Sequence, residues 1–337
     1  MSPGWRTAVV VTGAATVVAG SSAGAASWAA HNYLMGQAAQ ARGTIGRPSG
    51  KPPRRDGVYC SGGPGYQPWH PGVDYDLHLM VFGDSTAAGI GANTPDEVVG
   101  VRIARGLAEE SGKRIRLSTK AISGATSKGL AGQVDAMFIA GPAPDAAVIL
   151  VGANDVIKKH SVSASAHRLG DAVGRLTRAG AVVVVGTCPD LGVIAAIPQP
   201  LRTVVRRWGL QLARAQAAAT RAAGGVAVPL ADLLAREFLA APETMLSADR
   251  FHPSAAGYEL AAGQLTPALA EALGEWQGGP VPTPPERSVS ADRRRLTSRA
   301  LAATNRFLRR HDRAAPVQQL LDAADTGPHR SGTARTI

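Results

Sequence analysis

Apolar residues in this chain fall in short runs separated by longer amphipathic stretches. The run Leu77-His78-Leu79-Met80-Val81-Phe82 is one, and it stops at Gly83. Similar runs occupy 115–122, 146–151, 181–185 and 226–228. Each has the length of a buried strand and is bounded by turn residues. Helical periodicity is read over 95–111, 127–137, 163–178, 201–223, 230–240 and 254–275. Gly112, Gly180 and Gly224-Gly225 stop three of these segments, and Pro142 and Pro144 break the chain after another. Short strands alternating with helices predict an α/β domain over 76–277, with a parallel sheet covered on both faces.

The flanks read differently. Residues 1–31 look like a targeting segment: Arg6 is followed by a stretch from Thr7 to Ala30 with no charge. It could be a cleaved signal peptide, with Ala23-Gly24-Ala25 as the processing site, or an uncleaved membrane anchor. Either reading places the rest of the chain outside the cytoplasmic membrane. Residues 32–75 read as a Pro- and Arg-containing spacer and an irregular lead-in. Residues 278–337 read as a Pro-rich linker and a basic tail.

Charge sharpens that division. The 337 residues carry a formal net charge of +11. From Arg287 to the end there are eleven Arg and four Asp, a surplus of seven, so the excess sits mostly in the tail. Such a tail is either a solvated basic segment or an attachment to anionic lipid or wall polymer. Basic residues interleaved with aromatics, the mark of a nucleic-acid surface, are missing, and no nucleic-acid partner is expected. The two cysteines, Cys60 and Cys188, form no Cys-x-x-Cys pair and offer no zinc site. They could be one disulfide or two free thiols.

Four segments could carry chemistry, and three directly follow expected strands. These are Gly83-Asp84-Ser85, Ser123-Gly124-Ala125-Thr126 and Gly152-Ala153-Asn154-Asp155. The fourth, Asp249-Arg250-Phe251-His252-Pro253, precedes the last helix. A serine hydroxyl needs a base within hydrogen-bond reach, and the base needs an orienting partner. His252 can be that base for Ser85. Asp249, three residues earlier, can fold back onto its ring. The backbone N–H groups of Ser85 and Gly124 and the amide of Asn154 can face a developing oxyanion. His70 in its loop could approach the same crevice. Asp190 reads as a turn residue or a second orienting acid. The partly apolar loop 186–200 reads as substrate lining or as plain packing.

Taken together, Gly83-Asp84-Ser85, Gly124, Gly152-x-Asn154-Asp155 and Asp249-x-x-His252-Pro253 resemble the SGNH (GDSL-type) hydrolase superfamily, with all four blocks in order. With the export segment and spacer, the chain looks most like its exported actinobacterial branch. The resemblance implies a flavodoxin-like three-layer α/β/α fold with a five-stranded parallel sheet. It also implies Ser85 as nucleophile, His252 as base, Asp249 as third triad member, Ser85, Gly124 and Asn154 as oxyanion donors, an ester substrate, and no metal or cofactor. A binding module that has kept the hydrolase fold is the competing reading. A nucleotide site is disfavoured because 83–91 lacks both Gly-Lys-Ser/Thr and Gly-x-Gly-x-x-Gly.

Overall fold

The computed structural model describes residues 27–41, 43–45, 51–62 and 65–283. The processing site at 23–25 and the basic tail lie outside them. Residues 27–41 are helical (α1). Strands follow at Gly57–Tyr59 (β1), Tyr66–Gln67 (β2) and Leu77–Gly83 (β3). The short helix Ser85–Ala88 (α2) and the longer Val99–Ser111 (α3) lead to Ile115–Thr119 (β4). Ser127–Ala140 (α4), Ala146–Leu150 (β5), Ala153–Ile157 (α5), Val162–Arg178 (α6) and Val182–Gly186 (β6) come next. The chain then forms Leu201–Ala222 (α7), Val226–Val228 (β7), Leu230–Ala240 (α8), Pro242–Met245 (α9) and Ala255–Leu273 (α10).

The sheet order is β2-β1-β4-β3-β5-β6-β7. The strands β4, β3, β5, β6 and β7 are parallel and correspond to the five expected from the sequence. The sheet has seven strands rather than five. The extra two come from the lead-in: β1 adds antiparallel to β4, and β2 pairs with β1. They are short, and Gly and Pro flank them, so no period of two announces them.

Both faces of the central strands are buried, which explains their unbroken apolar character. Side chains alternate between the layers. Leu79, Val81, Val148 and Val184 join a core with α3, α8 and α10. Met80, Phe82, Ile149 and Val185 join a second core with α4 and α6. A smaller cluster joins Ala41 of α1 to Val156, Cys188, Ile194, Ile197 and Leu212. Gln37 of the same helix donates to the carbonyl of Gln199 and accepts from the Leu201 amide at 3.0 Å. Part of the stretch read as a spacer is thus a helix seated on the 186–200 loop. Among the described residues no helix is long and apolar enough to cross a membrane.

Both cysteines are free. Tyr59 pairs with Ile115 at the start of β4, so Cys60 lies at the N-terminal end of the parallel strands. Cys188 lies just beyond the end of β6. Opposite ends of one sheet cannot be bridged by a disulfide.

Candidate active site

Gly83 makes the turn that presents Ser85. Its φ is +134°, and a Cβ there would meet the Leu150 carbonyl oxygen at 1.9 Å. Only glycine lets β3 leave the sheet this close to β5. The Asp84 N–H donates to that same carbonyl at 3.0 Å. The Gln133 side chain holds Gly83 on both sides, accepting from its N–H and donating to its C=O, each at 2.8 Å. Asp84 then caps α2, accepting from the Thr86 N–H at 2.9 Å. Ser85 is the first helical residue, so its N–H has no acceptor within the helix.

His252 arrives from the other end of the chain. Its Nε2 lies 2.9 Å from Ser85 Oγ, and its Nδ1 lies 2.6 Å from Asp249 Oδ2. A carboxylate only accepts, so Nδ1 carries the hydrogen and Nε2 is left to accept from the serine hydroxyl. The other Asp249 oxygen accepts from Ser247 Oγ and from the backbone N–H groups of Phe251 and His252, at 2.8–2.9 Å. Burial pushes the Asp249 carboxyl up, but these hydrogen bonds outweigh it and hold the group well below the usual carboxylate range. The turn is closed by the Ser247 N–H on the His252 carbonyl at 2.8 Å, and Arg250 at its tip takes φ +60°. Phe251 stands edge-on to the imidazole, with ring centroids 5.0 Å apart. Ser85, Asp249 and His252 are all buried.

The other two blocks flank Ser85 because β4 and β5 are the two neighbours of β3. The Ile122 N–H donates to the Gly83 carbonyl at 3.1 Å, which ties the turn after β4 to the serine segment. Gly124 sits in that turn at φ +78°. Asn154 opens α5 and donates from Nδ2 to the Ala125 carbonyl at 3.0 Å. That bond uses one of the amide's two hydrogens. Lys158 donates to the Gly124 carbonyl at 2.9 Å. Gly124 and Asn154 are therefore held side by side next to the serine.

Asp155 builds this corner, and sequence reading gave it no role of its own. It is 1% exposed. It accepts from the Ser127 N–H at 2.9 Å, from Ser127 Oγ at 2.7 Å and from Ser165 Oγ at 2.8 Å, and its Oδ1 lies 3.2 Å from His160 Nδ1. One carboxylate thus joins α4, α5 and α6. Ser127 and Ser165 lie 38 positions apart, and no local pattern in the sequence shows that both reach one acid. Asp84 was likewise read only as part of a motif. Burial raises its pKa to about 6, against the pull of the Thr86 and Gly152 N–H groups and of His252.

A cavity of about 90 Å³ opens beneath His252, on the α8 and α10 side of the sheet. Leu191, Ile194, Leu234, Phe238, Leu246 and Phe251 give it apolar walls, and Asp84, Thr187 and His252 add polar atoms. The 186–200 loop therefore lines a cavity as well as packing. Thr187 is 1% exposed and its Oγ1 has no hydrogen-bond partner among the described residues. Asp190 is a turn residue: it accepts from the Gly192 N–H at 2.9 Å and pairs with Arg206 Nε at 2.9 Å. His70 is exposed, with Nδ1 3.1 Å from the Pro71 carbonyl, and among the described residues no hydrogen bond joins it to Ser85, Asp249 or His252. Among the described residues no group of His, Cys, Asp and Glu could hold a metal ion.

Residues 81–260 match the family model of the GDSL-like lipase/acylhydrolases. A GDSL-like esterase of Mycobacterium tuberculosis is 58% identical over 277 residues, covering 82% of this chain and 88% of the relative. A lipase/acylhydrolase from Enterococcus faecalis is 22% identical with a TM-score of 0.45, covering 61% of this chain and 100% of the other. A catalytic mutant of an acetylxylan esterase from Geobacillus stearothermophilus is 21% identical with a TM-score of 0.44, covering 62% and 99%.

Proposed function

Because the chain belongs to the GDSL-like lipase/acylhydrolase family and is an ester hydrolase, we propose that Ser85 cleaves its substrate through an acyl-enzyme, with His252 as base and Asp249 as its orienting acid. The observation that carries this reading is the aligned set of contacts from Asp249 through the imidazole to Ser85 Oγ. Ser85 Oγ attacks the ester carbonyl carbon and passes its proton to His252 Nε2. The carbonyl oxygen becomes an oxyanion facing the N–H groups of Ser85 and Gly124 and the free hydrogen of the Asn154 amide. Collapse of the intermediate expels the alcohol, which takes the proton from His252. Water then attacks the acyl carbon, gives its proton to the same nitrogen, and releases the acid with Ser85 restored.

The cavity beneath His252 suits the acyl group. Its walls are largely aliphatic and its volume favours a short chain. We assign the enzyme to the extracytoplasmic side, as a secreted or membrane-anchored protein, on the strength of the uncharged stretch from Thr7 to Ala30. The basic tail is proposed to add attachment to anionic lipid or wall polymer.

The decisive experiment pairs turnover of short-chain aryl esters with labelling by a serine-reactive phosphonate. The native chain is expected to turn over the ester and to take one label on Ser85. Ser85→Ala should lose both. Turnover retained by that variant, or a label on another residue, overturns the assignment.

A further inference from the structure

Exposed apolar side chains gather on one side of the catalytic crevice. Ile122, 59% exposed, stands in the turn that carries Gly124. Ile157, 43% exposed, ends α5, three residues after Asn154. The two are linked through the bond from Lys158 to the Gly124 carbonyl. Lys159 Nζ lies 3.3 Å from Met35 Sδ, which brings exposed Met35 of α1 to the same rim. Exposed apolar side chains gathered beside one crevice, rather than scattered singly, mark an interaction surface.

Charge says which partner. The carboxylates of the crevice, Asp84, Asp155, Asp190 and Asp249, are all buried. Lys128, Lys158, Lys159 and Arg250 around it are exposed. The surface offered outward is thus apolar and cationic, with its negative charge held inside. The uncharged stretch from Thr7 to Ala30 also runs directly into the helix that bears Met35. We propose that this rim docks on an anionic lipid bilayer, with Ile122, Ile157 and Met35 entering the interface and the lysines meeting the headgroups. The inference rests on the ester-hydrolase reading for its purpose: it brings an ester borne by a lipid surface to Ser85 without release into water.

The test reads orientation and needs no turnover. Cys188 is fully buried, so Cys60→Ser leaves no reactive thiol at the surface. A cysteine is then introduced as Ile157→Cys, or as Ile139→Cys at the far end of α4, and carries an environment-sensitive fluorophore. Ile139 is 87% exposed and lies at the opposite pole of the sheet, so it controls for tethering by the chain ends. Full-length protein is mixed with phosphatidylcholine vesicles with or without phosphatidylglycerol. The expected result is a blue shift at 157, quenched by chain-brominated lipid and dependent on the anionic lipid, with none at 139. Equal responses at the two positions, or no response at either, overturn the proposal. A shift at 157 that grows with protein concentration in vesicle-free buffer means self-association and also overturns it. The pair Lys128→Glu and Lys159→Glu should weaken the shift at 157 severalfold while turnover of a soluble ester persists. An unchanged shift overturns the assignment to anionic lipid. Loss of esterase activity in the native chain, with the 157 response intact, would sink the catalytic reading and leave the docking surface standing.

Discussion

Ser85 Oγ and His252 Nε2 lie 2.9 Å apart although 167 positions separate them in the chain. The two are united by the sheet: β3 ends at the serine, and α10, which follows the histidine, packs against α3 on the same side. Ser85→Ala should therefore remove catalysis and leave the fold intact, because the hydroxyl contributes a single hydrogen bond, to His252. We expect a fall in kcat of at least about a thousandfold. The thermal midpoint should stay within a few degrees, read by circular dichroism.

Asp249 does two jobs with two oxygens, one on the imidazole and one on the turn that carries it. Asp249→Asn should lower kcat by roughly ten-thousandfold, since an amide can donate to Nδ1 and so favours the wrong tautomer. Its pKa is depressed, so its contribution to stability is complete above about pH 4 and is lost as pH falls below that. The difference in urea midpoint between native and Asn chains should shrink below pH 4. A constant difference down to pH 2 would contradict the depressed ionisation.

Asp155 should matter to both stability and rate without touching substrate. Asp155→Ala leaves the Ser127 and Ser165 donors unmatched in a dry corner, and we expect a loss of about 2–4 kcal/mol. The turn at Gly124 loses its support through α4, so kcat should fall while KM holds. Asp155→Asn keeps two acceptor bonds and should recover part of both. Urea denaturation and steady-state kinetics on the same preparations check this.

Asp84 has the opposite titration from Asp249. Its proton is held more tightly in the folded chain, up to about pH 6. Stability from this group is unaffected below about pH 4, falls as pH rises towards 6, and is constant above it. The cost at neutral pH is on the order of 3 kcal/mol. Asp84→Asn should abolish that slope, measured as the urea midpoint against pH between 4 and 7.

The parallel part of the sheet was legible because β5 and β6 are buried on both faces and so read as unbroken aliphatic runs. The hydrogen-bonded set of Ser85, His252 and Asp249 was legible because its members stand at a strand end or before a helix, where local motifs survive reading. The lead-in was not. Gly57-Val58-Tyr59 becomes a strand only because β4 offers it an edge, and α1 is held by Gln37 bonding a loop more than 160 positions away. Contacts that depend on distant partners leave no local pattern. The same holds for Asp155, whose serines come from two different helices.

The last helix carries a timing consequence. The imidazole meets Ser85 only when α10 has packed against α3, so a chain emerging from its N-terminus has the hydroxyl long before the imidazole. On the proposed mechanism, such a chain cannot attack esters while it is being made. On that mechanism, reactivity waits for the last helix to fold.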